Sequence, residues 1–233
     1  MSGRLIGVGV GPGAPDLVTL RAARIIGSAE VVAYPALPGT ESFARAIVDD
    51  LVPDGVEEIG IEVPMSTARE PAQRAYDDAA SAIADVLAKG RDVVVLCEGD
   101  PFFYGSFMYL HARLSGRFES EIVPGVTSLT ACAAVGGRPI AARNERLTVL
   151  PGPLPSEVLE QRIAGAEAIA ILKVGRHLGR IRAVMTRLGL TDSALYVERA
   201  SLPDQVVLPL SEAPDKAPYF SMILLNKGGD PWL

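Results

Sequence analysis

The sequence predicts an α/β protein with two domains, the first containing a parallel, doubly wound sheet and the second a mixed sheet. Two patterns lead to this prediction. Through residues 1–135, short apolar runs alternate with amphipathic stretches at helical spacing, a rhythm that is typical of parallel strands joined by helices. Near the end of the chain, two apolar runs follow each other without a helix between them. Such neighbours usually pair in antiparallel fashion, so the second sheet should be mixed.

Five strands and their connecting helices are predicted in the first domain. Leu5–Val10 forms the first strand, and a helix capped by Asp16 should reach about Ala29, because its apolar residues share one face. Pro71 begins the longest helix, which Gly90 ends. Val93–Cys97 is entirely apolar, as is typical of a strand buried on both faces. The other elements are strands at Val31–Tyr34, Glu57–Ile61 and Glu119–Val123 and helices at Glu41–Leu51, Ser106–Leu114 and Val126–Val135.

The second domain is predicted to begin after a run of turn-forming residues. Gly136-Gly137-Arg138-Pro139 interrupts the strand–helix rhythm, so the predicted domains are residues 1–138 and 139–233. The strands predicted beyond this break are Leu147–Leu150, Ala168–Val174, Ala194–Glu198, Val206–Leu210 and Tyr219–Asn226. The helices predicted between them are Ser156–Ala164 and His177–Leu188.

Composition is that of an ordinary globular protein and argues against several kinds of partner. Of the 233 residues, 48% are hydrophobic and 21% are charged, which excludes intrinsic disorder. The net charge is −6 and no basic block occurs, so neither nucleic acid nor a membrane surface is expected as a partner. Two cysteines and two histidines do not by themselves build a zinc site or a disulfide framework. We therefore expect no metal and a cytoplasmic location.

A glycine-rich turn follows the first predicted strand. The segment Gly7-Val8-Gly9-Val10-Gly11-Pro12-Gly13 lets the backbone approach a ligand closely. Read from Gly9, it also satisfies the dinucleotide pattern Gly-x-Gly-x-x-Ala. Pro12 and Pro15, however, lack N–H donors that a phosphate would need, and the second strand ends without an acidic partner for a ribose. A nicotinamide-dependent oxidoreductase and a plain strand–turn–helix joint remain as alternatives.

Two carboxylates and three aromatic residues follow the buried strand Val93–Cys97. They lie in the segment Glu98-Gly99-Asp100-Pro101-Phe102-Phe103-Tyr104-Gly105. Ligands of open α/β sheets bind at this edge of the sheet, so the segment indicates a small-molecule site, although an aspartate that only caps the next helix would give the same pattern. Cys97 is expected in the core, since no histidine lies near it in the sequence and buried thiols are common.

A third turn, Pro124-Gly125-Val126-Thr127-Ser128, leaves the fifth predicted strand. Its hydroxyl groups and the N–H groups of the following helix would face the same edge of the sheet. An ordinary Ser/Thr helix cap would look alike. Three such turns at one edge favour a shared ligand over coincidence.

These three motifs, in this order, resemble those of the tetrapyrrole methyltransferase family of corrin and sirohaem biosynthesis. The resemblance continues in Ile171-Leu172-Lys173-Val174-Gly175 and in Val197-Glu198-Arg199-Ala200-Ser201, so it covers essentially the whole chain. Shorter matches, among them Tyr104-Gly105-Ser106-Phe107-Met108-Tyr109-Leu110, are most similar to the precorrin-2 C20-methyltransferases. Glu98 is a departure, because several relatives carry a glycine there. If its side chain enters the site, it changes the local charge.

The resemblance implies an enzyme that binds S-adenosylmethionine in a cleft between the domains and releases S-adenosylhomocysteine. A sulfonium cation favours carboxylate and aromatic neighbours, which the second motif supplies. The resemblance also implies a homodimer. The cofactor contacts that it implies are Pro12, Gly99, Asp100, Phe103, Thr127, Ser128, Val174, Ala200 and Ser221.

The implied acceptor is precorrin-2, which would be methylated at C20 to precorrin-3A in cobalamin biosynthesis. A proton must then leave the ring carbon. The residues that could accept this proton are Asp100, Glu98, Tyr104 and Tyr109, and none of them is assigned as the base. The arginines that could bind the substrate's carboxylates, or belong to a solvated loop, are Arg138, Arg143 and Arg146. The open alternatives are a cobalt-bearing acceptor, another ring position and a tetrapyrrole-binding protein without turnover.

Overall fold

Two five-stranded sheets organise the computed structural model, which describes residues 2–64 and 69–228. The first sheet is wholly parallel, in the order β3-β2-β4-β1-β5. Its strands are β1 (Leu5–Gly9), β2 (Val31–Ala36), β3 (Glu57–Glu62), β4 (Val93–Cys97) and β5 (Ser120–Val123). Every residue of β1 and β4 is buried, as expected for central strands covered on both faces. The predicted parallel sheet is confirmed.

Helices cover both faces of this first sheet. The helices of the first unit are α1 (Leu20–Ile26), α2 (Phe43–Ile47), α3 (Arg69–Ala88) and α4 (Phe107–Leu114). On one face, Val93, Val95 and Cys97 of β4 pack in a core that includes buried residues of α3 and α4. On the other, Val94 and Leu96 pack in a core that includes residues of α1 and α2. Alternate residues of each strand therefore fill two cores, which makes the sheet doubly wound.

The first helix begins later than the sequence predicted. Asp16 does not cap a helix, because Pro15–Leu17 is an isolated 3-10 turn without a side-chain cap, and Val18 returns to an extended conformation. α1 begins instead at Leu20, and Thr19 Oγ1 accepts a hydrogen bond of 3.2 Å from the Ala22 N–H. Aspartate and threonine are both good caps, so sequence alone did not decide between them.

The second sheet is mixed, as predicted. Its order is β6-β7-β10-β8-β9, in which only β6 and β7 pair in parallel. The strands are β6 (Leu147–Pro151), β7 (Ala168–Leu172), β8 (Leu195–Glu198), β9 (Val206–Pro209) and β10 (Ser221–Asn226). The helices of this unit are α5 (Ser128–Val135), α6 (Ser156–Ala164) and α7 (Leu178–Arg187).

The chain divides into two compact units, Met1–Thr127 and Ser128–Leu233. This division lies eleven residues before the break that the sequence indicates, because α5 contacts β10 of the second unit. The residues at 136–139 follow α5, which itself belongs to the second unit. A turn signal marks the end of an element, and only packing decides which core that element joins.

Candidate functional site

The three glycine-rich turns meet at the carboxyl edge of the first sheet. β1 lies between β4 and β5, so the turns that leave these three strands become neighbours. Gly99 donates its N–H to the Gly11 carbonyl at 2.7 Å, and the Gly11 N–H donates to the Gly99 carbonyl at 3.3 Å. Gly11 and Gly99 both have positive φ angles, which side chains rarely adopt. The first two motifs are thus joined by backbone hydrogen bonds.

Close backbone packing requires glycine at the centre of this edge. A Cβ atom built on Gly9 would lie 2.5 Å from the Gly99 carbonyl oxygen and 2.6 Å from the Gly125 Cα. A Cβ atom on Gly125 would lie 2.8 Å from the Gly9 Cα and closer still to the Gly99 oxygen. The backbones of the three segments therefore touch directly at this point. The result is a cradle of main chain at a strand edge, the kind of surface that admits a ligand close to the backbone.

Asp100 connects the second and third turns. Its Oδ1 accepts hydrogen bonds from the N–H groups of Phe102 (2.9 Å) and Phe103 (3.0 Å), and its Oδ2 accepts one from the Gly125 N–H (3.1 Å). Three backbone donors thus converge on one carboxylate. The arrangement fixes the shape of the cradle and engages both carboxylate oxygens. Asp100 therefore fixes the position of the third turn relative to its own turn.

Aromatic side chains stand exposed beside the cradle. Phe102, Tyr104 and Tyr109 expose 47%, 43% and 44% of their surface, which is unusual for three aromatic residues so close in sequence. Tyr104 has a φ of 58°, a strained conformation for a residue with a side chain. The Tyr109 ring lies 4.8 Å from the ring of Tyr76, centroid to centroid. Exposed aromatic surface of this kind is typical of a binding site for a flat apolar ligand.

Glu98 directs its carboxyl group to the opposite face from Cys97. Side chains alternate along a strand, so Glu98 lies on the same face as Val94 and Leu96. That face packs in the core that contains Ala44 of α2. Burial raises the pKa of the Glu98 carboxyl, and the hydrogen bonds from its own N–H and from that of Ala44 only partly offset this effect. Glu98 therefore adds a carboxyl group with a raised pKa to this edge.

Cys97 is a core residue, as predicted. Its side chain is fully buried, and its Sγ lies 3.8 Å from the Ser106 Oγ. Burial, reinforced by the nearby Glu98 charge, raises the pKa of the Cys97 thiol to about 12. The thiolate that a nucleophile requires is therefore scarce at neutral pH.

A second set of predicted residues gathers at one edge of the second sheet. β7 and β8 both run antiparallel to β10, so their carboxyl ends lie at the same edge as the start of β10. Gly175 donates its N–H to Ser221 Oγ at 3.2 Å, and this hydroxyl donates to the Pro218 carbonyl at 2.7 Å. Val174, Ala200 and Ser221 are all buried. Any ligand at this edge would therefore meet chiefly their backbone.

Strained backbone marks the same edge. Lys173, Arg199 and Ser201 have φ angles of 58°, 48° and 72°, in the left-handed region. Such residues cluster at functional sites, because the surrounding structure must stabilise a conformation that is costly by itself. The Lys173 side chain is partly buried, which lowers the pKa of its amine. The turns after β7 and β8 are thus built for a specific local shape.

Sequence reasoning missed a hydrogen-bonded pair at this edge. The Tyr196 side chain is fully buried, and its hydroxyl donates to Glu198 Oε2 at 2.7 Å. Burial and then this hydrogen bond raise the pKa of the Tyr196 phenol. Glu198 also lies 3.5 Å from the Arg199 guanidinium, which pairs with Asp204 at 2.7 Å. The sequence offered a signal, because a tyrosine and a glutamate two residues apart on one strand share a face.

Two of the three arginines suggested for the substrate's carboxylates, Arg138 and Arg146, have partners within the second unit. The Arg138 guanidinium donates to the Ser193 carbonyl. Arg146 pairs with Glu167 at 3.3 Å and also donates its backbone N–H to that carboxylate. Arg143 has a φ of 45°. The suggested role of the three arginines stays a prediction.

Within residues 2–64 and 69–228, no three side chains of histidine, cysteine, aspartate or glutamate group as metal ligands. In the same ranges, no helix combines the length and the apolar character that crossing a bilayer requires.

The fold is that of an α/β protein with a glycine cradle at a strand edge, and comparison with known proteins shows which family it belongs to. Residues 4–214 match the family of Tetrapyrrole (Corrin/Porphyrin) Methylases. The chain belongs to this family, as its motifs had indicated.

Individual members of the family are similar to this chain over almost its full length. The chain is 42% identical to a precorrin-2 C(20)-methyltransferase of a Sinorhizobium species, covering 96% of this chain and 95% of that protein. It is 34% identical to the cobalt-precorrin-2 C(20)-methyltransferase of Salmonella typhimurium, with 97% and 98% covered. Among solved structures, uroporphyrin-III C-methyltransferase of Thermus thermophilus in complex with S-adenosylhomocysteine is similar, with a TM-score of 0.67, 28% identity and 96% and 97% covered.

Proposed function

We propose that this protein is an S-adenosylmethionine-dependent methyltransferase that methylates C20 of precorrin-2 to give precorrin-3A in cobalamin biosynthesis. The observation that carries the proposal is the 42% identity with a precorrin-2 C(20)-methyltransferase along almost the full length of both chains. We also propose a homodimer, by family resemblance, and a cytoplasmic location, because two cysteines do not build a disulfide framework.

The residues at the first strand edge fit the proposed cofactor. The cradle of Gly9, Gly99 and Gly125 offers close backbone approach without the extra N–H donors that phosphate groups require, since Pro12 has none. S-adenosylmethionine carries no phosphate, and its sulfonium charge suits nearby carboxylate and aromatic groups. The residues proposed to hold it are Pro12, Gly99, Asp100, Phe103, Thr127 and Ser128, with Val174, Ala200 and Ser221 contacting the adenosine.

The chain's own contribution to the reaction is mainly orientation. When bound, S-adenosylmethionine supplies an activated methyl group. Asp100 holds two turns in one geometry through three N–H groups, which keeps the cradle ready before the ligand arrives. The exposed rings of Phe102, Tyr104 and Tyr109 offer a flat apolar surface for a conjugated macrocycle. Holding both reactants in register and excluding water can supply several kcal/mol of the barrier, about 7–11 kcal/mol in the best cases.

The decisive experiment is methyl transfer from radiolabelled S-adenosylmethionine to purified precorrin-2. We expect a singly methylated product, with NMR placing the new methyl group at C20. Cobalt-precorrin-2 as a parallel substrate tests the acceptor of the Salmonella relative, and a product methylated elsewhere would reassign the ring position. Binding of S-adenosylhomocysteine without any turnover would indicate a tetrapyrrole-binding protein. Calorimetry that detects NAD but no S-adenosylhomocysteine would favour an oxidoreductase and contradict the proposal.

A further inference from the structure

We propose that a cavity at the amino edge of the first sheet binds a small organic oxyanion, which is a molecule that carries phosphate or carboxylate groups on a partly apolar body. This amino-edge cavity lies where β1, β4 and β5 begin, whereas the glycine cradle lies where the same strands end. None of the residues that the sequence suggested for the cofactor, the substrate or the proton lines it. The proposal therefore goes beyond the methyltransferase function and does not depend on it.

The amino-edge cavity has the size of a small-molecule site. Its volume is about 570 Å³, within the usual range for such sites. One wall is α1 with the turn that follows it, and the other is formed around the first residues of β1, β4 and β5. Ile6, Ile25 and Val94 supply apolar surface, and every lining residue belongs to the first unit. The cavity therefore offers apolar surface beside its charged groups.

Arginine is the main charged residue of the amino-edge cavity. The arginines that line it are Arg4, Arg21, Arg24 and Arg91. The carboxylates that line it are Glu30, Asp92 and Glu121. Four guanidinium groups against three carboxylates leave one positive charge in the lining, although the protein as a whole has a net charge of −6. The planar fork of N–H donors on each guanidinium matches the oxygens of a phosphate or a carboxylate.

Arg4 and Arg91 hold the frame of the cavity. Arg4 donates to Asp92 Oδ2 from Nε at 3.0 Å and from Nη2 at 2.6 Å, and its backbone N–H donates to Oδ1 at 2.7 Å. This pair joins the residues that precede β1 and β4. Arg91 pairs at 2.5 Å with Glu57 of β3, which lies outside the cavity lining. The main contacts of these two arginines are therefore made between strands.

Arg21 and Arg24 are the two arginines that remain for a ligand. They lie three residues apart on α1, so their side chains are neighbours on one face of the helix. One terminal nitrogen of Arg21 donates to Glu121 Oε1 of β5 at 2.6 Å. The Arg21 side chain is 61% exposed, and exposed ion pairs contribute little stability. Arg21 can therefore direct its other N–H groups to an anion without losing a strong contact.

Arg24 carries the positive charge that no carboxylate balances. Its Nε donates to the Leu20 carbonyl, one helical turn back, at 3.2 Å. Within residues 2–64 and 69–228, its guanidinium makes no ion pair, and the bond to Leu20 is its one hydrogen bond. Like charges on neighbouring positions of a helix repel each other. An oxyanion held between Arg21 and Arg24 would remove this repulsion and supply the missing partner, and this observation carries the proposal.

The test is calorimetry at low ionic strength, because salt screens exposed charges. Sodium pyrophosphate and sodium citrate are titrated separately, since they present similar oxygens on phosphate and on carboxylate groups. We expect wild type to bind at least one of them with a Kd of about 1 mM or lower, and the better-bound probe identifies the anionic group. Arg24→Gln should weaken that binding at least about tenfold. The control Arg162→Gln, which removes an exposed arginine near the end of α6, should stay within about twofold of wild type.

The substitution Glu121→Gln should change the affinity in the opposite direction. It removes the carboxylate that engages Arg21 and raises the charge of the lining by one. The better-bound probe should then bind at least about threefold more tightly. Damage to the fold would weaken binding rather than strengthen it, so Arg24→Gln and Glu121→Gln together separate the electrostatic effect from a structural one. Urea unfolding verifies that each variant is folded.

The outcomes that overturn the proposal are distinct from those that concern methyl transfer. Wild type that binds neither probe overturns it, and so does equal binding by wild type and Arg24→Gln. Unchanged or weaker binding by Glu121→Gln would show that Arg21 does not face the anion, and a loss in Arg162→Gln equal to that in Arg24→Gln would show that there is no specific site. S-adenosylhomocysteine should bind Arg24→Gln within about twofold of wild type, because distant sites act independently. The anion site and the methyltransferase function can therefore fail separately.

Discussion

The substitution Gly9→Ala tests whether the cradle depends on backbone contact between three strands. The added Cβ would lie 2.5 Å from the Gly99 carbonyl oxygen and 2.6 Å from both the N and the Cα of Gly125. Ordinary contacts of this kind begin near 3.4 Å, so the two turns would have to retreat by roughly 1 Å. No side chain can swing aside, because all the crowded atoms are backbone. Gly9 itself shows no positive φ, so the effect is one of space alone.

The size of the effect follows from this displacement. Overpacking of a dense region costs about 1–3 kcal/mol. With a urea m value of about 2 kcal/mol/M, a loss of 2 kcal/mol lowers the unfolding midpoint of the first unit by about 1 M. A misplacement of about 1 Å at a binding site can cost up to about 100-fold in function. We therefore expect the Kd for S-adenosylhomocysteine to rise at least about tenfold, or 1.4 kcal/mol.

The matched control is Gly116→Ala, since a Cβ at Gly116 would meet no atom within 4 Å and its φ is not positive. Urea unfolding and calorimetry with S-adenosylhomocysteine are measured on both variants. The reasoning is refuted if Gly9→Ala unfolds and binds like the control. Weaker binding at an unchanged unfolding midpoint would mean that the turns yield easily and that only the ligand senses the shift.

Two further predictions concern single side chains. Asp100→Ala removes the acceptor of three backbone N–H groups, so S-adenosylhomocysteine should bind about tenfold more weakly while urea unfolding stays cooperative; unchanged affinity and turnover would reduce Asp100 to a simple turn residue. Tyr196→Phe removes the hydroxyl that lies 2.7 Å from Glu198, and the loss of this hydrogen bond to a carboxylate should cost about 1–3 kcal/mol of stability at pH 7. A variant with the wild-type unfolding midpoint would show that the pair contributes little.

The sheet architecture was largely predictable because it depends on patterns that are local in sequence. Uninterrupted apolar runs such as Val93–Cys97 identified buried parallel strands, and two consecutive runs without a helix identified the mixed sheet. The cap of α1 was not predictable in the same way. Asp16 and Thr19 are both strong caps a few residues apart, and the extended conformation at Val18 decides between them.

The site was predictable in composition but not in detail. Glycine turns after β1, β4 and β5 indicated a site at one sheet edge, because the carboxyl ends of neighbouring parallel strands lie at the same edge. The sequence could not show that Asp100 joins two turns through three N–H groups, because Gly125 lies 25 residues away. It likewise gave no reason to place the Glu98 carboxyl beside α2, a contact that depends on tertiary packing.

The position of β1 in the centre of its sheet has a consequence for how the first unit assembles. β1 pairs with β4 and β5, and its partners lie about ninety to over a hundred residues further along the chain, as in Leu5↔Val93 and Leu5↔Ser120. Closing loops of this length costs chain entropy before the strand contacts contribute any favourable free energy. Such a high contact order slows folding. Gly9, Gly99 and Gly125 can touch only after both pairings have formed. The ligand cradle should therefore be among the last features of the first unit to appear during folding.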